Sequence, residues 1–121
     1  MDPEVARAIR LYQLTCGLVI ALQALVALGG YRLRASAAEL ADLDPRYGIG
    51  FWEGMGTTLI GIGLLFALSQ AALLLLPRRP WAYGIHLANA IGAAFLCIPT
   101  LVAVPTVVLW MKPRIKEYFG A

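Results

Sequence analysis

The sequence predicts an all-α integral membrane fold, with four transmembrane helices and a short amphipathic helix in the outer loop. Three observations carry that expectation. Uncharged apolar stretches run from Leu11 to Tyr31, Gly54 to Pro77 and Pro80 to Met111, and about twenty helical residues cross a hydrocarbon layer roughly 30 Å thick. Of the 121 residues, 60% are apolar and 14% charged, too few charges to coat a water-soluble surface of this size. The basic residues flank the apolar stretches unevenly, and that asymmetry sets the number of crossings. A single transmembrane helical domain over residues 1–121 follows, with spans near 8–30, 53–76, 79–97 and 99–112.

The first helix should begin ahead of the bilayer. Asp2-Pro3-Glu4 supplies an N-cap, a proline at the first helical position and an early acid. Arg7 and Arg10 precede the apolar run and Ala27-Leu28-Gly29 closes it with small residues, an outline shared with secretory signals. The run is longer than a signal core of about 7–15 residues, so it reads as a retained span.

In the loop that follows, Ser36-Ala37-Ala38-Glu39 matches a capping box and Pro45 marks a stop. A short helix near Ala37–Leu43 would put Leu40 and Leu43 on one side, suited to the membrane surface. Gly48 and Gly50 let the chain turn back beside Phe51 and Trp52. Glu53, at the mouth of the second span, is expected to pair with Arg32, Arg34 or Arg46, or to serve the helix dipole.

Pro80 to Met111 is too long for one crossing: its residues would extend about 48 Å as a single helix. Pro99 and Pro105 interrupt it. A hairpin turning near Ile98-Pro99-Thr100 leaves short arms, which flanking Arg and Lys can lengthen by snorkelling. Charge favours the hairpin. With four spans, Arg7, Arg10, Arg78, Arg79, Lys112, Arg114 and Lys116 share one side, and the opposite loop mixes Arg32, Arg34 and Arg46 with Glu39, Asp42, Asp44 and Glu53. The positive-inside bias then places both termini in the cytoplasm. Tyr12, Trp81, Tyr83, Trp110 and Tyr118 are expected at the cytoplasmic interface, and Tyr31, Tyr47, Phe51 and Trp52 at the outer one. Cys16 and Cys97 would lie near opposite faces, too far apart for a disulfide.

The lipid bilayer is the first partner. Helices in lipid associate through close backbone approach, so small residues at four-residue spacing are packing candidates. Gly84, Ala88 and Gly92 form one such ridge, and Gly63, Ala67 and Ala71 another. Each is expected to pack closely, against the other or against a second chain. The net charge of +3 is no nucleic-acid signature, because the basic residues flank spans instead of alternating with exposed aromatics.

Polar residues within spans are few: Gln23, Ser69, Gln70, His86 and Asn89. His86 and Asn89 share a helical face, where they can form an interhelical hydrogen-bond pair with Gln70 at similar depth. The same face could instead bind a ligand: Ala82 and Gly84 would leave space beside the imidazole, which could ligate a chlorophyll magnesium or a haem iron. No metal cluster or other cofactor is otherwise expected. The spans hold no carboxylate for proton coupling, no paired carboxylates, no nucleophile with an evident base and no phosphate-cradling loop around Gly54, Gly56, Gly61 and Gly63. An enzyme is not expected.

Arg78-Arg79-Pro80-Trp81-Ala82 and the tail from Leu109 through Pro113-Arg114-Ile115-Lys116-Glu117-Tyr118-Phe119-Gly120 give the chain a resemblance. It resembles a loose group of small bacterial four-span membrane proteins that carry no assigned catalytic residues. The resemblance implies a multi-pass protein of the bacterial inner membrane and no particular activity. By its own chemistry the tail, with Ile115, Tyr118 and Phe119 among Lys112, Arg114 and Lys116, suits anionic headgroups. The expected function is non-enzymatic: helix packing, as an accessory or structural subunit of a larger membrane complex or as a homo-oligomer. The alternative is a small-molecule, lipid or pigment binder, or a facilitator, that uses the His86/Asn89 face.

Overall fold

A computed structural model describes residues 2–96 and 99–121. Cys97 and Ile98, in the expected hairpin turn, lie outside them. Among the described residues the chain forms six helices and no strand: α1 (Pro3–Ala35), α2 (Ala37–Leu43), α3 (Ile49–Leu73), α4 (Pro80–Ala94), α5 (Thr100–Trp110) and α6 (Pro113–Tyr118). Helices α1 and α3 are each long and apolar enough to cross a membrane. Helix α4, at 15 residues, and α5, at 11, are shorter, about 22 and 16 Å at 1.5 Å per residue.

Contacts divide the chain into two compact units, Met1–Val19 with Gln70–Ala121, and Ile20–Ser69. In the first, α4 and α5 run antiparallel: Tyr83 near the start of α4 bonds Trp110 at the end of α5, and Ala93 and Ala103 meet at the other end. The N-terminal part of α1 lies parallel to α4, with Tyr12 at His86 and Val19 beside Ala93. Pro99 and Pro80 explain where the hairpin arms begin. Each has its φ fixed for helix entry and no N–H to satisfy, Pro80 at N1 and Pro99 at the N-cap of α5. Thr100 Oγ1 closes the turn on the carbonyls of Ala94, at 2.6 Å, and Leu96. Pro105 lies inside α5, where it removes one hydrogen bond of the helix ladder.

The core of this unit is built on Val5, Ala8, Tyr12 and Cys16 of α1, Ala82 and Ala90 of α4, and Trp110, Ile115 and Phe119. Tyr12 and Trp110, expected at the cytoplasmic interface, are core residues, 3% and 1% exposed. One expectation changes here. The tail does not lie free on a surface: Ile115 of α6 and Phe119 at its C-cap, four residues apart, are both buried. Pro113 starts α6 and reverses the chain after Trp110, which turns that face inward. Lys112 and Arg114 then reach the acids of the first turn, with Lys112 Nζ 2.6 Å from Glu4 Oε1 and Arg114 Nη1 2.9 Å from Asp2 Oδ2. Arg78 donates through Nε to the Tyr118 carbonyl and lies 3.8 Å from the Tyr118 ring centre. The N-terminus, the corner before α4 and the C-terminal helix thus gather at one end of this unit.

The Asp2 cap is present, its carboxylate accepting the Glu4 N–H at 2.8 Å. The capping box at Ser36 is not. Ser36 N–H continues the ladder of α1 onto Arg32 O, and its side chain makes no cap bond. The chain bends so little between α1 and α2 that the hydroxyl is never aimed at the N–H groups it was expected to cap. Helix α2 nevertheless spans the expected residues.

In the second unit, α3 returns antiparallel to the end of α1 with backbone against backbone. A methyl group added at Gly56 would meet Gly30 O at 2.5 Å, and one at Gly63 would meet Gln23 O at 2.6 Å and Ala27 N at 2.8 Å. Arg34 donates to Thr57 Oγ1 beside this contact. In the loop, Arg46 forms a two-bond ion pair with Asp44, 3.0 Å on each arm, and its guanidinium holds the Asp44 carboxyl below the ordinary carboxylate range. Glu53 takes part in no ion pair among the described residues. Tyr47 and Phe51 stack with ring centres 4.3 Å apart, and Trp52 meets them edge-on at 5.9 and 5.1 Å.

Candidate functional site

The most concentrated polar chemistry lies inside the first unit. Gln70, at the α3 end, and Asn89, on α4, exchange two bonds: Gln70 Nε2 donates to Asn89 Oδ1 at 2.7 Å, and Asn89 Nδ2 donates to Gln70 Oε1 at 3.0 Å. The pair leaves one Asn89 hydrogen, which faces Tyr12 Oη at 3.2 Å and Cys16 Sγ at 3.6 Å. Tyr12 Oη in turn sits 2.8 Å from His86 Nδ1. Gln70, Tyr12 and His86 are buried and Asn89 half-buried. The positions follow from helical spacing: His86 and Asn89 are one turn apart on α4, as are Tyr12 and Cys16 on α1.

One role in this chain of bonds is fixed: Tyr12 Oη accepts from Asn89, because an amide NH2 cannot accept. Tyr12 Oη and His86 Nδ1 share one hydrogen bond, whose direction follows the imidazole tautomer. The imidazole is held by Tyr12 edge-on, with ring centres 4.8 Å apart, and by Trp110 at 5.4 Å and Phe119 at 5.6 Å. Trp110 is itself fixed by Nε1 donating to Ala8 O at 3.1 Å and by its carbonyl accepting from Tyr83 at 2.7 Å. One helix C-terminal carbonyl is thereby satisfied.

A cleft of about 140 Å³ adjoins this network, lined by His86, Tyr12, Trp110 and Phe119, with Arg78 and Leu76 among its other walls. Three larger depressions, of about 430, 360 and 470 Å³, follow the outer face of α1 and the ion pairs of the termini. None of their polar lining residues is buried. Unlike those three, the cleft carries buried polar side chains, Tyr12 and His86, in its wall.

The structure thus brings Gln70, His86 and Asn89 together, and it enlarges their set with Tyr12 and Cys16. It also corrects the surroundings of the imidazole. Ala82 is fully buried against the core, and Gly84 faces away, with open space where a side chain would stand. The room beside His86 comes from the cleft instead. Among the described residues no group of three or more His, Cys, Asp or Glu side chains converges.

The two small-residue ridges fare differently. Gly63 packs tightly on Ala27 and Gln23 of α1, Ala67 is half-buried and Ala71 exposed. Gly84, Ala88 and Gly92 are all exposed, and a methyl at either glycine would meet nothing within 4 Å. The buried face of α4 is Ala82, His86, Ala90 and Ala93. Sequence reasoning missed Gly30 and Gly56 as the closest backbone approach, although Gly56 and Gly63 lie two turns apart on one face. It also missed Thr15 and Thr106, whose hydroxyls meet at 3.1 Å between α1 and α5. No protein-family model, curated protein or solved structure matches the chain.

Proposed function

We propose that the chain is a non-enzymatic membrane protein that crosses the bilayer four times with both termini cytoplasmic. It acts by helix packing, as an accessory subunit of a larger complex or as a homo-oligomer. The observation that carries this reading is the vacant ridge on α4. Gly84, Ala88 and Gly92 form a small-residue surface at the spacing that membrane helices use for close approach, and none of the described residues fills it. Flanking it are exposed Trp81, Ile85 and Ile91, side chains that suit lipid or another helix. Further support for immersion comes from the large apolar residues turned outward, such as Leu25, Leu65, Leu68 and Leu101, each more than 60% exposed. Apolar side chains of that size turned outward along each unit suit contact with lipid. The antiparallel α4–α5 pair and the gathering of Arg78, Lys112 and Arg114 at one end of their unit support an even number of crossings.

The test is a cysteine at position 88. With Cys16 and Cys97 replaced by serine, Ala88→Cys should cross-link in native membranes to a second copy or to another subunit, and Val108→Cys on the exposed side of α5 should not. Gly84→Leu with Gly92→Leu should abolish the adduct. A monodisperse monomer in mild detergent, with no cross-link and no co-purifying protein, would overturn the reading.

A further inference from the structure

The basic residues of the first unit divide into those with partners in the chain and those without. Lys112 and Arg114 pair with Glu4 and Asp2, and Arg78 donates to the Tyr118 carbonyl. Arg7 and Arg10 are exposed and join no ion pair among the described residues. They stand about one turn apart on α1, on the side turned away from Val5, Ala8, Tyr12 and Cys16, which belong to the core. Beside them Pro3 and Ala6 leave a groove of about 430 Å³ that continues onto Leu11 and Leu14. Leu14 is 51% exposed, and one turn further a methyl at Gly17 would meet nothing within 4 Å.

One face of α1 thus carries two free guanidiniums and, directly below them, an open apolar lane. A free phosphate or an acidic peptide would use the arginines and leave Leu11, Leu14 and Gly17 uncovered. A plain hydrocarbon chain would cover the lane and leave both charges without a counter-ion. An amphiphile with an anionic head and an acyl chain satisfies both parts. Phosphate suits the head better than carboxylate does, because its oxygens can accept from two guanidinium forks at once. Depth agrees as well. From Arg10 to Gly17 the face runs about 10 Å at 1.5 Å per residue, inside the roughly 15 Å of hydrocarbon in one leaflet. The tail, expected to meet anionic headgroups, has Lys112 and Arg114 already engaged by its own acids.

We propose that the outer face of α1 is a seat for one anionic phospholipid: Arg7 and Arg10 hold the phosphate, and an acyl chain descends over Leu11 and Leu14 to the notch at Gly17. The lipid is a defined companion of the protein, bound at one place, and not part of a diffuse counter-ion layer around every basic residue. The site rests on the chain being immersed in lipid, as proposed above, and is independent of the α4 ridge and of the number of crossings.

The experiment is native mass spectrometry of the full chain from detergent micelles doped with equal amounts of phosphatidylglycerol and phosphatidylcholine. A single phosphatidylglycerol adduct should dominate. A basic residue near a membrane surface changes anionic-lipid affinity about fivefold, so Arg7→Gln with Arg10→Gln should cut the preference about twenty-five-fold. Both side chains are exposed and unpaired, which leaves the fold intact. Lys116→Gln and Arg79→Gln, which remove exposed charges elsewhere, should change the preference less than about twofold. Equal losses in all of these variants would show a diffuse surface attraction and overturn the proposal, as would no preference in the parent chain. Glycerol 3-phosphate and a hexaglutamate peptide, added in excess, should leave the adduct in place. Displacement by the first would assign the arginines to a free phosphate, and by the second to an acidic protein segment; either result overturns the lipid seat. Incorporation into phosphatidylcholine vesicles is measured on the same preparation. A chain that incorporates but shows no preference overturns this inference alone, whereas a chain that fails to incorporate overturns the membrane reading and this inference with it.

Discussion

Gln70 and Asn89 exchange a pair of hydrogen bonds, 2.7 Å in one direction and 3.0 Å in the other, and all further polar contacts of Tyr12 and His86 hang from that closed amide ring. Asn89 is the branch point. Its carbonyl serves Gln70, and its amide serves Gln70, Tyr12 and Cys16.

Removing the branch point should cost more than removing an average membrane hydrogen bond. Single interhelical bonds in lipid contribute about 0.6 kcal/mol on average, whereas stranding buried partners costs about 1–3 kcal/mol. Asn89→Ala strands the Gln70 amide and removes one of the two partners of Tyr12 Oη, so a loss of about 2 kcal/mol is expected from that upper range. Gln70→Leu combined with Asn89→Leu should cost less than the sum of the two single changes, because neither amide is then left unpaired. Equilibrium unfolding in mixed micelles measures both quantities.

Glycine positions on α3 should separate sharply by face. Gly56→Ala places a methyl 2.5 Å from Gly30 O and 2.8 Å from Arg34 N, backbone atoms that cannot swing aside. A loss of about 1–3 kcal/mol is expected, the usual cost of overpacking. Gly54→Ala meets nothing within 4 Å and gains helix propensity, so it should be neutral or stabilising by up to about 1 kcal/mol. The same unfolding measurement on the two single variants compares them directly. Equal effects would mean that α1 and α3 do not meet through Gly56.

Much of this fold could be read from residue order, and the unread part has physical causes. Helix α2 was legible because Pro45 closes a short polar-edged segment. The α4–α5 break was legible because the stretch is too long for one crossing and holds Pro99, which stands at the N-cap of α5. Gln70, His86 and Asn89 stood out as the costliest residues in apolar stretches, and their meeting followed from similar depth. Tyr12 did not stand out, because an aromatic near a span end has two stable settings, among headgroups or in the core, and only the docking of α6 decides between them. Thr15 and Thr106 were silent for another reason. Each hydroxyl bonds a carbonyl of its own helix, Leu11 O and Val102 O at 2.8 Å, so neither advertises a need for a partner. The Gly30–Gly56 approach depends on the register of α3 against α1, which local sequence does not encode.

Charge at the termini should matter for topology far more than for stability. The Glu4–Lys112 and Asp2–Arg114 pairs are partly exposed, with 27–62% of each side chain accessible. Exposed pairs contribute about 0–1 kcal/mol, so Lys112→Ala or Arg114→Ala should shift stability by less than about 1 kcal/mol. Arg78→Cys and Arg114→Cys, each in a chain without other cysteines, should react with an impermeant thiol reagent from the same side of sealed vesicles. Reaction from opposite sides would require an odd number of crossings between them and would end the four-span reading.

Trp110 is the residue on which the two halves of the hairpin and α1 converge, and its ring and its N–H can be tested separately. It is 1% exposed, donates Nε1 to Ala8 O at 3.1 Å and stacks within 6.1 Å of Tyr83. Trp110→Phe keeps an aromatic filler but leaves the Ala8 carbonyl without that donor. The Ala8 carbonyl retains its place in the α1 ladder, so the loss should be about 1 kcal/mol, close to one hydrogen bond. Trp110→Ala removes the whole ring from a site whose neighbours, Tyr12, His86 and Phe119, are fixed by their own partners and cannot collapse inward. The expected cost is about 3–5 kcal/mol, the range for a large aromatic lost from a core. Chemical-shift or near-ultraviolet dichroism signals of Tyr12 and Tyr83 should change strongly in Trp110→Ala and little in Trp110→Phe. Comparable losses in the two variants would instead assign the stability to the indole hydrogen bond and make the ring packing secondary.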